Sequence, residues 1–241
     1  LGARQGAVDE FAAAITGGVM HEDDVARTGA IKEKLIEAKQ GWARDGRLLT
    51  GTTADPERVR LPPGQRLVKD WPVLDLGVEP DVTPQKFRLD LDGAVENRLS
   101  LNLDEYMALP MAESVSDMHC VTQWSNYDNR WKGVCARTIL DMVKPAKEAK
   151  HVIFHSFDGY TTNIRLDQFD RPDVFLVHDW NGKPINRAHG GPVRMLVPRL
   201  YLWKSAKWLK RIQFTISDHP GFWETRGYHN NADPWLEERY G

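Results

Sequence analysis

Residues 114–134 read SVSDMHCVTQWSNYDNRWKGV and contain Cys120, one of two cysteines in the chain. Val115–His119 alternates and predicts a strand entering the cysteine. The run that follows (Gln123, Trp124, Ser125, Asn126, Tyr127, Asp128, Arg130, Trp131) mixes amides, charges and indoles. That mixture reads as a loop lining a polar cavity, held between the strand and a short helix over Ala136–Val143. Cys120 is a buried structural residue, a nucleophile or a metal ligand by these residues alone, since free cysteine is among the most buried side chains. His119 alternates with Cys120 and is expected to point away from it. Cys135 reads as a packing residue of the helix.

Outward from this stretch, the chain predicts short strands and short helices in mixed order. Phe87–Leu91 alternates, Asp92-Gly93 supplies a turn, and the hairpin continues through Asn97–Leu101. Leu103–Leu109 is a helix stopped by Pro110. Downstream come strands at His151–Ser156, Tyr160–Ile164 and Val174–His178, a helical Leu166–Phe169, and a hairpin turn at Asn181-Gly182. Leu202–Leu209 reads as a turn and helix, and Ile212–Ile216 as a last strand. The order argues for an α+β fold without a regular βαβ wind. Residues 1–60 form an N-terminal helical arm and linker, with helical patterns at Val8–Ile15 and Ala30–Arg44, and 61–241 form the main domain.

Composition excludes several classes. With 32 basic and 34 acidic residues in 241, the net charge of −2 carries no nucleic-acid or membrane footprint. Two cysteines make neither a disulfide framework nor a four-cysteine zinc site. No apolar run approaches the ~18–20 residues of a membrane span. The N-terminus shows no export signal, so a cytoplasmic location is expected, with the periplasm as the alternative if a segment preceded Leu1.

Three blocks in order, the Cys120 stretch, HGGPVRMLVP (189–198) and WKSAKWLKRI (203–212), resemble the sulfite oxidase superfamily of molybdopterin enzymes. The nearest resemblance is to its stand-alone bacterial "sulfite oxidase-like" branch. It runs from about Leu61 to Tyr240. It implies a molybdenum–molybdopterin cofactor, with Cys120 as the thiolate that binds molybdenum, a ligand type suited to such a metal. It implies pterin and phosphate contacts from His189, Arg194, Ser205, Lys207 and Lys204, close backbone approach to the ligand at Gly190 and Gly191, and a covering segment of Lys69, Asp70 and Trp71. Tyr160 matches a tyrosine beside the reacting oxygen. Trp131 matches a substrate-pocket tryptophan, with Arg130 and Gln123 as further pocket residues.

The implied activity is oxygen-atom transfer to or from a small sulfur or nitrogen compound such as sulfite. Electrons would be exchanged with a separate cytochrome or other redox protein. The alternatives are an S-oxide or N-oxide reductase of the methionine-sulfoxide-reductase type and a non-catalytic molybdopterin-binding protein. A cysteine hydrolase using Cys120 and a histidine is the rival from a different chemistry. One departure stands out: sulfite oxidases carry an arginine a few residues after the metal cysteine, and Thr122–Ser125 holds no basic residue. Lys69, Arg130 or Arg226 of the C-terminal tail are the candidate substitutes.

Overall fold

The computed structural model describes residues 60–75, 77 and 79–241. All but the last residue of the expected N-terminal arm lies outside the described residues. Two sheets share one core. The six-stranded sheet runs β1 (Arg66–Leu67), β5 (Trp124–Cys135), β8 (Phe175–Trp180), β10 (Arg194–Leu196), with β4 (Ala112–Cys120) also pairing β5 and β9 (Lys183–Pro184) pairing β8. The five-stranded sheet has the order β3 (Leu99–Leu101), β2 (Leu89–Gly93), β11 (Leu209–Thr215), β6 (His151–Ser156), β7 (Thr161–Arg165). Leu89, Leu91, Val152, Phe154, Ile212 and Phe214 of the smaller sheet are buried in one cluster with Val134, Leu176 and Met195 of the larger. Burying those alternating faces supplies the main driving force, at roughly 25 cal/mol per Å² of apolar surface.

Among the described residues three α-helices connect the strands: α1 (Leu103–Met107), α2 (Ala136–Val143) and α3 (Leu166–Phe169). Asn102 and Glu105 form a reciprocal capping box that starts α1. In α2 the buried residues are Ala136, Ile139 and Val143, one helical stripe. It stops at Lys144, whose φ of 50° is left-handed, just before Pro145. The expected strand at His151–Ser156 and helices at Ala136–Val143 and Leu166–Phe169 match these elements. Asn181 and Gly182, with φ of 54° and 77°, make the two-residue turn between β8 and β9.

The expected polar loop after Cys120 is a correction. Trp124–Cys135 is a twelve-residue strand bonded to β1, β4 and β8. Its polar residues mislead because two amides are spent inside the sheet. Asn126 Nδ2 donates to the carbonyls of Val68 and Lys69. Asn129 Nδ2 donates to those of Ser116 and Asn126, while its Oδ1 accepts from Trp180 Nε1. A buried amide so satisfied costs little. The β4–β5 ladder is also bulged: Ser116 pairs Asn129, but Met118 pairs Asn126, so Tyr127 and Asp128 together face Asp117. Asp128 takes the extra residue's left-handed φ of 57°.

A second correction concerns Leu202–Leu209. Leu202–Lys204 is a single 3₁₀ turn, and Leu209 already belongs to β11. Residues 206–209 instead pair with 190–195, which runs into β10: Met195 N donates to Ala206 O, Trp208 N to Gly190 O and Leu209 N to Val193 O. Backbone groups used in this cross-pairing are unavailable to a helix. The Asp92-Gly93 turn also lies differently, since Gly93 pairs with Phe214 of β11 and the reversal falls after it.

Candidate cofactor and active site

Cys120 ends β4 at a tight hairpin, Val121-Thr122-Gln123, in which Gln123 has a φ of 70° and its N–H donates to Cys120 O. The thiol is buried and lies 3.2 Å from Thr122 Oγ1. Burial pushes its pKa up, against the Thr122 contact and the charge of Arg239, which favour the thiolate. Cross-strand partners share a face, and Cys120 pairs Trp124. Cys120 thus joins Trp71, Met118, Trp124, Trp131, Phe175 and Val177 in one buried cluster. His119, on the opposite face, meets Ser125 Oγ at 2.8 Å and the Trp235 ring edge-on. Its ring is turned from the thiol, as the alternation predicts, so it cannot serve Cys120 as a base.

Trp71 is the hub of a second group that adjoins this cluster. His189 stacks on it at 4.1 Å with Nε2 3.1 Å from Trp71 O, and Trp131 and Trp180 meet its edges at 5.5 and 5.0 Å. Arg194 lies 5.0 Å over the same ring. Its guanidinium donates to the carbonyls of His189 (2.7 Å), Ser205 (2.8 Å) and Met195 (3.3 Å). Arg194 is 2% exposed with no carboxylate among these partners, and burial lowers its pKa to about 9. Lys207 donates to Ala188 O at 2.7 Å and is lowered to about 8, by burial first and then by the Arg194 charge. Asp75, Glu79 and Asp158 offset part of the Lys207 charge from a distance, and neither cation is hydrogen-bonded to a carboxylate, so an anion between them would be favoured.

Gly190 and Gly191 are explained by the protein itself. A Cβ on Gly190, where φ is 98°, would lie 2.7 Å from Lys207 Cβ, and one on Gly191 would lie 2.0 Å from Ile185 O. They permit the close packing of two protein segments, whereas the resemblance implied close approach to a ligand.

Other expected residues are dispersed. Lys204 is fully buried and turned toward the C-terminal tail, with Nζ 2.6 Å from Glu224 Oε1, 2.8 Å from Asn163 O and 3.1 Å from Asn163 Oδ1. All three of its donors are used there, and it is not brought to the Trp71 group. Ser205 Oγ accepts from Val197 N, which fixes the turn beneath Arg194. Tyr160 OH donates to Trp203 O at 2.6 Å and its ring packs against Phe222; burial, and then Glu224, raise its pKa well above 10. Lys69 and Asp70 are exposed beside buried Trp71. Trp131 is buried, with Nε1 3.0 Å from Ser116 Oγ. Arg130 alternates with it and is exposed on the other face, away from Cys120. Gln123 is exposed in the hairpin.

The tail contributes more than its sequence suggested. Arg226 is occupied with Phe222, lying 3.6 Å over its ring and donating to its carbonyl. Arg239 is the tail arginine that reaches the cysteine hairpin: it is 5% exposed and donates to Val121 O at 2.6 Å and Pro63 O at 3.3 Å. Tyr228 packs on Trp203, Trp223 and Tyr240, and burial, with smaller contributions from Tyr240 and Cys120, raises its pKa. The density of aromatics after Gly221 was the available signal, but no spacing rule links residue 239 to residue 120.

These groups fit a phosphorylated cofactor that carries a metal. Arg194 and Lys207 offer charge to a phosphate, Trp71 and His189 a flat stacked wall, and Cys120 a soft donor. Among the described residues no cluster of three or more His, Cys, Asp or Glu could hold a metal ion. A metal at Cys120 would therefore bring its other ligands with it. Among the described residues no helix is long and apolar enough to cross a membrane.

Comparison with known proteins gives the family. The model of the family described as "Oxidoreductase molybdopterin binding domain" matches residues 76–223. The chain is 44% identical over 184 residues to the oxidoreductase YuiH of Bacillus subtilis (strain 168), covering 75% of this chain and 92% of that protein. It is 27% identical over 172 residues to the protein-methionine-sulfoxide reductase catalytic subunit MsrP of Campylobacter jejuni, covering 62% of this chain and 58% of MsrP. The sulfane dehydrogenase SoxCD of Paracoccus pantotrophus shares the fold, with a TM-score of 0.56 at 17% identity over 65% of this chain and 46% of that one.

Proposed function

The chain belongs to the family of oxidoreductase molybdopterin-binding domains, and from that premise we propose that it is a molybdenum oxotransferase centred on Cys120. The observation that carries the reading is buried Arg194 beside half-buried Lys207, both hydrogen-bonded to backbone carbonyls and not to a carboxylate, next to the aromatic cluster that contains Cys120. Arg194 and Lys207 would hold the cofactor's phosphate, and Trp71 with His189 would line the pterin. The Cys120 thiolate would hold the metal.

When bound, that group supplies two-electron oxygen-atom transfer. The protein's own contribution is position and electrostatics. Burial keeps the Cys120 thiol protonated at neutral pH, so metal binding must displace its proton. The cluster of Trp71, Trp124 and Trp131 excludes water from the thiol, which strengthens every charge interaction there. Tyr160 commits its proton to the Trp203 carbonyl and so steadies the turn that carries Lys204 and Ser205. Electrons would pass to or from a separate redox protein, a reading supported by relatives whose names describe them as subunits.

The test is molybdenum and pterin content per chain, for the unaltered protein and Cys120→Ser made in a host that synthesises the cofactor. The unaltered chain is expected to carry both in near-stoichiometric amounts. Cys120→Ser should keep the pterin and lose oxygen transfer. A metal-free, pterin-free chain, or full turnover by Cys120→Ser, would refute the assignment.

A further inference from the structure

We propose that the free edge of β4 pairs with the same edge of a second copy of this chain, antiparallel and centred on Ser114, so that one continuous sheet joins two molecules. β4 is an edge strand: its ladder partner among the described residues is β5 alone. The direction of its backbone groups follows from β5. Ser125 O accepts from Val68 N and Arg130 O from Asn181 N, so residues 125 and 130 turn their polar groups to the far side of β5. Their partners in register, His119 and Val115, therefore turn theirs away from β5, toward the open side. Glu113 and Asp117 follow by alternation. Among the described residues no backbone bond reaches Glu113, Val115 or Asp117 from that side. Ala112 and Glu113 are exposed there, and Val115 is 63% exposed. Further along, the edge is closed: Asp117 is held by Arg60, and His119 meets the Trp235 ring. An open row of unpaired N–H and C=O groups with an apolar side chain in it is a template for another strand.

The residues of the edge select both the occupant and the register. Outward groups must meet outward groups, so an antiparallel pair of identical edges that uses Glu113 and Val115 is centred on residue 113, 114 or 115. Centred on Glu113, it sets that carboxylate against its own copy. Centred on Val115, it sets Glu113 against Asp117. Like charges directly opposite each other are unfavourable in both. Centred on Ser114, Glu113 faces Val115 of the second copy, and the two residues exchange both backbone bonds. On one face Ala112 then meets Ser116 and Ser114 meets Ser114, small side chains that let the backbones approach. On the other face, Glu113 has Lys132 beside it on its own β5, and the paired Val115 and Arg130 of the second copy ahead of it. Each acid thus has a cation on either side. One patch supplies both halves of the contact, as a two-fold dimer requires.

The test places one cysteine at a time on the edge of the full chain and follows disulfide-linked dimers on non-reducing gels under mild oxidation. At Ser114 the copies form a non-hydrogen-bonded pair with Cα atoms about 4.5 Å apart, inside the ~4.4–6.8 Å range of a disulfide. Ser114→Cys should therefore crosslink. Ala112→Cys, at the more exposed position, should not, because it faces Ser116 of the second copy. The unaltered chain is the blank, since its Cys120 is buried. Val115→Glu opposes two acids in each bonded pair and should weaken association, read by sedimentation, at least ~10-fold. Adding Glu113→Lys to it should restore the dimer. Both changes fall on exposed side chains, and the variants should melt within a few degrees of the unaltered chain. A Ser114→Cys chain that stays monomeric would overturn the proposal, as would Ala112→Cys crosslinking just as readily. A dimer of the unaltered chain that Val115→Glu leaves intact would put the contact on another surface and overturn it too. So would a monomer in which an added redox protein, and not a second copy, slows amide exchange at Glu113 and Val115. Metal and pterin content is read separately, so failure here leaves the cofactor reading untouched.

Discussion

Lys207 shows how much a single side chain here depends on its neighbours. Burial and the adjacent Arg194 charge bring its pKa down to about 8. A bound phosphate favours the charged amine, so anion affinity is fully present below that pKa and falls as pH rises through it. Retention of the cofactor, measured as pterin released on dialysis, should be constant below about pH 8 and decline above it. Lys207→Met should bind less tightly and lose that decline; the same pH profile in the variant would exclude Lys207. At this scale the sequence was informative where chemistry is local. Arg194 and Lys207 came into view through short quoted segments, and the structure sets them side by side next to Trp71. Lys204 carries an identical ammonium three residues away, yet its side chain leaves in another direction for Glu224. The direction of a lysine is fixed by a turn and a distant carboxylate, and neither is visible in WKSAKWL.

At the scale of elements, the strands that pack densely are also those least able to change. Gly133 of β5 pairs Val177 of β8, and a Cβ there would lie 1.9 Å from Leu176 O and 2.7 Å from Val177 Cα. Backbone cannot yield as a side-chain tip does. Gly133→Ala should therefore destabilise the chain by about 1–3 kcal/mol, the range for overpacking, read from the midpoint of urea unfolding. An unchanged midpoint would mean that β5 and β8 are further apart than described. Elements whose burial follows one simple period, such as α2 and β6, were legible to the residue. β5 was not, because two asparagines in its interior look like loop residues until their amide partners on Val68, Lys69 and Ser116 are known.

Across the whole molecule, the tail is tied to the smaller sheet by a buried ionic centre. Glu224 Oε1 receives Lys204 Nζ, Thr162 Oγ1 and Trp203 Nε1 at 2.6, 2.8 and 3.0 Å. Removing one partner of such a pair strands the other charge, at a cost of roughly 3–5 kcal/mol. Glu224→Gln should lower the melting temperature by that equivalent and should release the tail to proteolysis after Gly221 before the sheets unfold. A tail that stays protected in the variant would show that its aromatic contacts suffice. The α+β class and the family followed from blocks of sequence because they are properties of contiguous segments. The approach of residue 239 to residue 120 depends on tertiary closure and had no such signature.

The bulge at Tyr127-Asp128 has one more consequence. Trp124 and Trp131 are separated by seven residues, an odd number, which in an unbroken strand would set them on opposite sides. The added residue resets the parity, so that Trp124, Asn126, Asn129 and Trp131 all face the side that carries Cys120. The site is thus written in a count. Almost any substitution at Tyr127 or Asp128 would leave that count alone, while deleting either residue would turn Trp124 outward and Ser125 in, emptying the wall beside the thiol without touching any group that contacts it.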